Sequence, residues 1–352
     1  MPGHRLPRRW AASGLAATRR SIRMRRPLRW RSVSNAIVVP PTSDADMSSG
    51  AGVVTSNDGD FDYVHGTGIR RYSRELVPRS QTKGLVANQS ISRAIFGGYV
   101  FDHFGHFLLE SLSRVWIDQT QEFDDSLPVV WIGGRGVSIR PWMIDVCRQI
   151  GLKREVMLID ITTGALAVEE LVVPQASCEL HEWIHPEQLR RLGTTPWRPN
   201  GSEGKVWLSR VGMGTSHGGL AEEAEVEQVL AGSGWSIVRP EELSIEEQVD
   251  VLAGASHVAG VEGSALHGLV LVGGFGGTID IIRRNSNTNY KLVALAGGWN
   301  QRMINPVGGR VSLAPVTNSL TGELVAVPTW EGIDVRETAY AIDESSRRAV
   351  RT

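Results

Sequence analysis

The chain has 352 residues, 41% of them hydrophobic and 21% charged, with a formal net charge of -1. That length suits one large or two medium domains with a well-sized core, and the near-neutral balance excludes a global field for polyanions. Two cysteines, Cys147 and Cys178, make neither a disulfide framework nor metal-ligand spacing, which fits a reducing cytoplasm.

Residues 1–31 carry ten arginines, from Arg5 to Arg31, and no acid. No apolar h-region follows, which argues against a secretion signal, and no stretch reaches the roughly 18 apolar residues that span a bilayer. Three readings stay open: peripheral contact with an anionic membrane at about 1 kcal/mol per basic charge, non-specific nucleic-acid binding, or an unstructured or mis-assigned start. Specific nucleic-acid recognition is not expected. Segment 1–36 is set apart as a basic, disordered extension.

After the apolar run at Ile37, a stretch rich in Pro, Ser, Asp and Gly reaches Gly59 and reads as an exposed connection. Short strands are expected within Phe61–Val77 and around Arg93–Ile95. GGYVFDHFGHFLLESLSRVW follows, with helical spacing from His103 onward. His103 and His106 are i,i+3, while His106–Glu110 and Glu110–Arg114 are i,i+4, so all four line one side of a single helix packed by Phe104, Phe107, Leu108 and Leu112. Either that side edges an active site, or it is structural, with a Glu110–Arg114 bridge and His106 tied to a backbone carbonyl. The HxxH pair resembles half of a metal site, but no second pair of ligands accompanies it, so no metal is expected.

Pro128–Ile132 reads as a buried strand and Ile139–Ile150 as a helix. Glu155–Ile159 and Glu170–Pro174 are further strands, and Cys178, His181, Trp183 and His185 form a polar-aromatic loop. Pro196–Gly204 is the best domain boundary. Beyond it come a strand in KVWLSR, the loop VGMGTSHGG, a helix over Glu222–Ala231, a strand in WSIVRP, and then SIEEQVDVLAGASHVAGVEGSALHGLVLVGGFGGTIDII. This last segment reads as helix, strand, glycine-bounded turn, helix opening at Ser264, and strand Thr278–Ile282. That is the alternation of an open parallel sheet, whose ligands sit beyond the carboxyl ends of its strands. Arg210 stands at one such end as a phosphate ligand. Glu262 stands at another, as general base or sugar ligand. Gly263 permits close approach, Ser264 opens a helix with free N–H groups, and His267 lies on its first turn. Their bland readings are an N-cap, a turn glycine and a packing histidine. GMG at Gly212–Gly214 lacks the rest of a dinucleotide fingerprint. A helix over Tyr290–Ala296, strands at Arg310–Pro315 and Leu324–Pro328, and a helix over Val335–Arg348 complete the chain.

The ordered series LSR, AEEAEVEQVL and GWSIVRPEELSIEEQVDVLAGASHVAGVEGSALHGLVL, preceded by GGYVFDHFGHFLLESLSRVW, resembles glycosyltransferase family 61, bacterial capsular-polysaccharide homologues included, over roughly Ala94–Ile282. The resemblance implies an α/β fold of two Rossmann-like domains facing a cleft (GT-B type). It implies a 37–200 domain on the acceptor side and a 201–352 domain for the nucleotide sugar. The activity implied is inverting, metal-independent transfer of a sugar from a nucleotide-sugar donor to a hydroxyl of a glycan or other small acceptor, with no cofactor. On this chain, Glu262, His106 and Glu110 become the catalytic candidates, and Arg210, Gly263, Ser264, His267, Arg114 and His103 the substrate-binding ones. The family commonly has His where Glu262 stands and Asn near His267, and its usual Arg and Asn have no counterpart in HGGLAEEAE. Glu262 is the first expected base and His106 the second. A noncatalytic sugar-nucleotide or glycan binder, and a scaffold acting through its basic tail, are the alternatives from other classes.

Overall fold

A computed structural model describes residues 26–41, 51–55, 86–120, 122–134, 137–199, 204–213, 218–284, 287–317 and 324–349. The strands expected within Phe61–Val77, and the arginine-rich segment up to Arg25, lie outside those residues. Among the described residues no helix is long and apolar enough to cross a membrane.

The first sheet has six strands: β1 (Trp30–Val39), β2 (Gly52–Thr55), β3 (Gln89–Tyr99), β4 (Val129–Ile132), β5 (Val156–Ile159) and β6 (Leu166–Pro174). Their order is β2-β1-β6-β3-β4-β5. The four strands from β6 to β5 run parallel, while β1 is antiparallel to both of its neighbours, so the sheet is mixed. β1 starts at Trp30, before the boundary set at residue 36, because its apolar residues sit at the far end. Its leading WRSVSN is mostly exposed, and burial begins with Ala36 and Val38.

The second sheet is wholly parallel, in the order Ser236–Val238, Lys205–Leu208, His257–Val261, Thr278–Ile282, Asn300–Ile304. Alternate residues point to opposite faces. Val206, Leu208 and Val258 face one apolar cluster, and Trp207, Ala259 and Val261 the other. Helices cover both faces, which is why His257–Val261 and Thr278–Ile282 are buried at every position. In chain order the strands run 2-1-3-4-5, and the chain changes direction across the sheet between Lys205–Leu208 and His257–Val261. In open parallel sheets, ligands sit beyond the carboxyl ends of the strands at such a reversal.

The helix Ile245–Gly254 opens the segment expected to begin with one. Ser244 Oγ accepts from Glu247 N at 3.2 Å and Glu247 Oε2 from Ser244 N at 2.8 Å, a reciprocal capping box. A ribbon of Gly308–Thr317 against Leu324–Ile333 follows the second sheet, and Gly219–Leu220 pairs with it.

One apolar cluster runs from the first sheet to the second, through Ile95, Trp131 and Phe107 to Leu252, Leu266 and Val206. The segment after residue 193 is held by backbone pairing. Thr195–Pro196 pairs with Val272–Gly273, and Arg198 N donates to Ala253 O at 2.9 Å.

Candidate functional site

The stretch expected as one regular helix from His103 is irregular. A single α-turn, Phe104–His106, passes into a π-helical turn, Phe107–Ser111, and a 3-10 helix resumes at Val115–Gln119. Widened turns leave carbonyls without helical partners, and here other side chains supply them. The buried Gln188 amide donates to Leu108 O at 3.0 Å and Leu109 O at 2.8 Å. Trp131 Nε1 reaches Ser111 O at 3.1 Å, and Ser177 Oγ reaches Ser113 O at 2.6 Å.

This geometry divides the four aligned residues. His106 Nδ1 and Glu110 Oε2 are 2.5 Å apart, with side chains 34% and 13% exposed, so the i,i+4 pairing of these two holds. Arg114 turns away. It is buried beside β3, its guanidinium donates to Pro174 O and lies 5.3 Å from the Phe96 ring centroid, and burial pulls its pKa down to about 10. The wider π turn takes it off the Glu110 side, so it braces β3 against β6 and is not brought to the cluster as a substrate ligand.

The 264–271 segment is a 3-10 helix whose first residue, Ser264, follows an extended Gly263. It packs directly on the start of the helical stretch. His103 Nε2 lies 3.4 Å from Ser264 Oγ, and the His103 and His106 rings are 4.9 Å apart, edge to face. Gly105 makes the approach possible, since a Cβ there would stand 3.0 Å from His267 Cδ2 and 3.3 Å from Ser264 Oγ. The two motifs, far apart in sequence, therefore form one cluster.

His267 is buried and stacks on Tyr290, with ring centroids 4.7 Å apart and planes 6° from parallel. Burial, reinforced by His106 and His103, lowers its pKa to about 3. It is a neutral ring at physiological pH and brings no positive charge to a phosphate. Tyr290 Oη donates to Gly263 O at 3.0 Å, and burial raises its pKa.

Arg210 occupies the space that Gly263 was expected to leave for a ligand. A Cβ on Gly263 would lie 2.2 Å from the Arg210 guanidinium, so the glycine serves the arginine. Burial, then the neighbouring Arg284, lowers the Arg210 pKa. Glu262 is 1% exposed, and its Oε2 accepts from Arg284 N at 2.9 Å. The carboxylate expected as first base is thus built into the backbone where His257–Val261 and Thr278–Ile282 end.

Arg284 and Tyr290 escaped the sequence reading. Arg284 had a signal, since RR follows directly on the strand Thr278–Ile282 and so falls at the same sheet edge as Arg210 and Glu262. Tyr290 had none, because only packing brings its helix, Asn289–Gly297, under Gly263. Cys178–Glu179 and Trp183–Ile184 pair as a short hairpin, and His185 caps the helix Pro186–Leu192. Among the described residues no group of three or more His, Cys, Asp or Glu is arranged to hold a metal ion. A cavity of about 270 Å³ lies elsewhere, lined by Asp118, Lys153, Arg154 and Arg191. Its arginines are tied to Asp118 and to backbone carbonyls.

The arrangement combines a partly exposed imidazole, paired with a carboxylate, and two neighbouring arginines at the carboxyl edge of a parallel sheet. The family model described as Glycosyltransferase 61 matches residues 104–273, which take in His106, Glu110, Arg210 and the Glu262–His267 stretch and leave His103, Arg284 and Tyr290 outside. No curated protein matches the chain.

Proposed function

We propose that this chain, whose residues 104–273 match the model of glycosyltransferase family 61, is a glycosyltransferase that moves a sugar from a nucleotide-sugar donor to a hydroxyl of a glycan or small-molecule acceptor, with inversion and without a metal. The observation that carries the reading is the meeting of the His106–Glu110 couple with the Gly263–His267 turn beside Arg210.

The base is assigned to His106 in preference to Glu262. With Glu110 accepting from Nδ1–H, the imidazole is held in the tautomer whose Nε2 lone pair is free to take a proton. Glu262 is committed to Arg284 N and shielded from solvent. As the acceptor oxygen forms its bond to the anomeric carbon, the bond from that carbon to the phosphate oxygen breaks. The hydroxyl proton passes to His106, and the nucleoside diphosphate leaves with the electron pair. One displacement inverts the centre. Arg210 and Arg284 offset the charge of the departing diphosphate, the part a divalent cation would otherwise play. Ser264, with its helix-opening N–H groups, and His103 serve as ligands for sugar or acceptor hydroxyls at the join of the two motifs.

The two sheets, meeting where the two motifs pack together, support a GT-B-type arrangement, with 37–200 on the acceptor side and 201–352 on the donor side. Cys147 and Cys178 are buried free thiols, in keeping with a reducing cytoplasm, and the arginines of residues 1–31 offer peripheral contact with an anionic inner membrane face. The test is a thermal-shift and hydrolysis screen of nucleoside diphosphates and their sugar conjugates. A donor that binds raises the melting temperature by mass action. Stabilisation by one nucleotide class and slow release of its sugar are expected. A screen in which no nucleotide shifts the protein defeats the reading.

A further inference from the structure

Glu223 is the first residue of the helix Glu223–Gly232 and is 4% exposed. A buried carboxylate is costly unless its oxygens are used. Burial pushes its pKa up to about 7, with the nearby Glu227 adding to the rise. One oxygen, Oε1, accepts from the backbone N of Arg210 at 2.9 Å. Its neighbours are anchored in turn. Glu222 Oε1 accepts from Gly332 N at 2.6 Å, Ala221 N donates to Trp330 O at 2.9 Å, and Glu227 Oε1 accepts from Trp207 Nε1 at 3.1 Å. A rigid chain of bonds therefore runs from the Leu324–Ile333 strand, through the start of this helix, to the residue whose guanidinium lies against Gly263.

We propose that Glu223 is a positioning residue for phosphate binding: its carboxylate clamps the backbone of Arg210 and thereby holds the guanidinium at the Gly263 turn. This rests on the assignment of Arg210 to the donor diphosphate. A side chain as long as arginine's samples many rotamers, and fixing its backbone where the strand Lys205–Leu208 ends removes part of the freedom that binding must otherwise suppress. Nothing in the sequence AEEAEVEQVL marks Glu223 apart from the acids around it. Only the fold turns it toward Arg210.

The full-length chain carrying Glu223→Ala, Glu223→Asp, Glu223→Gln or Arg210→Ala is titrated calorimetrically with UDP and with GDP, and melting temperatures are recorded separately. Arg210→Ala weakens binding of the preferred nucleotide about tenfold to a hundredfold. Glu223→Ala, and Glu223→Asp with its carboxylate drawn back by one methylene, each weaken it about tenfold. Glu223→Gln keeps an oxygen for the Arg210 N–H and stays within about threefold of wild type. Glu223→Asp retains the acid, so it reports even if Glu223→Ala does not fold. Wild-type affinity in Glu223→Asp, with only the melting temperature lowered, overturns the positioning role and leaves the diphosphate reading intact. Glu223→Gln as weak as Glu223→Asp overturns it too, because charge and not the clamp would then be acting. Failure of the wild type to bind either nucleotide, or an unchanged Arg210→Ala, overturns the diphosphate assignment and this proposal with it.

Discussion

Glu110 and Glu262 belong to the same cluster, yet the protein uses them differently. Glu110 lies on a π-helical turn and meets a side chain, His106 Nδ1, at 2.5 Å, where the imidazole stays 34% exposed. Glu262 lies at the end of a strand buried on both faces and meets a backbone amide, Arg284 N, at 2.9 Å. The first acid holds a group that solvent can reach, while the second holds the chain. A carboxylate at the carboxyl edge of a parallel sheet is therefore not a catalyst by position alone. What it bonds to decides its part.

The sharpest way to break this comparison is to exchange the expected losses. His106→Ala lowers turnover per folded molecule by on the order of 100-fold or more and leaves the melting temperature near wild type, since its ring is partly exposed. Steady-state rates set beside circular dichroism melts check this. A His106→Ala protein that melts early but turns over normally would hand the base role back to Glu262. Glu262→Ala leaves Arg284 N–H without its acceptor and costs about 1–3 kcal/mol of stability, read as a lower urea midpoint. If Glu262→Ala keeps its midpoint while losing turnover, the assignment of the two acids is reversed.

Glu110→Gln sharpens the comparison at smaller amplitude. The amide oxygen can still accept from Nδ1, but the charge is gone, and charge-assisted bonds are about twice as strong as neutral ones. Turnover falls about tenfold, and donor affinity is unchanged by titration.

The smallest effects are in pH dependence. His267 has its folded pKa depressed from 6.5 to about 3. Below the unfolded value the unfolded chain takes up a proton that the folded ring refuses, so this group costs stability as pH falls from about 6.5 toward about 3. His267→Phe, which keeps a ring against Tyr290, flattens that part of the stability profile. Glu223 has the opposite sign. Its folded pKa is raised from 4.5 to about 7, so stability is lost as pH rises between those values, and Glu223→Gln removes that slope. Urea midpoints from pH 4 to pH 8 check both.

The sequence by itself determined the local elements and singled out the two motifs that the fold brings into contact. The alternation of periodic and apolar runs placed the helix Ile245–Gly254 and the strands His257–Val261 and Thr278–Ile282, because buried parallel strands write their signal into neighbouring residues. The ordered motifs carried the resemblance to the family whose model matches residues 104–273, and i,i+4 spacing found the His106–Glu110 pair. Tertiary structure alone decided the rest. A π turn has no distinct periodicity over five residues, so the departure of Arg114 was invisible until Gln188, Trp131 and Ser177 were seen to satisfy the displaced carbonyls. Arg210 at Gly263, Tyr290 beneath it, Glu223 behind it and the burial of Glu262 all depend on contacts between segments far apart in the chain. Such contacts set the charge and the freedom of a side chain, and residue type and spacing carry neither.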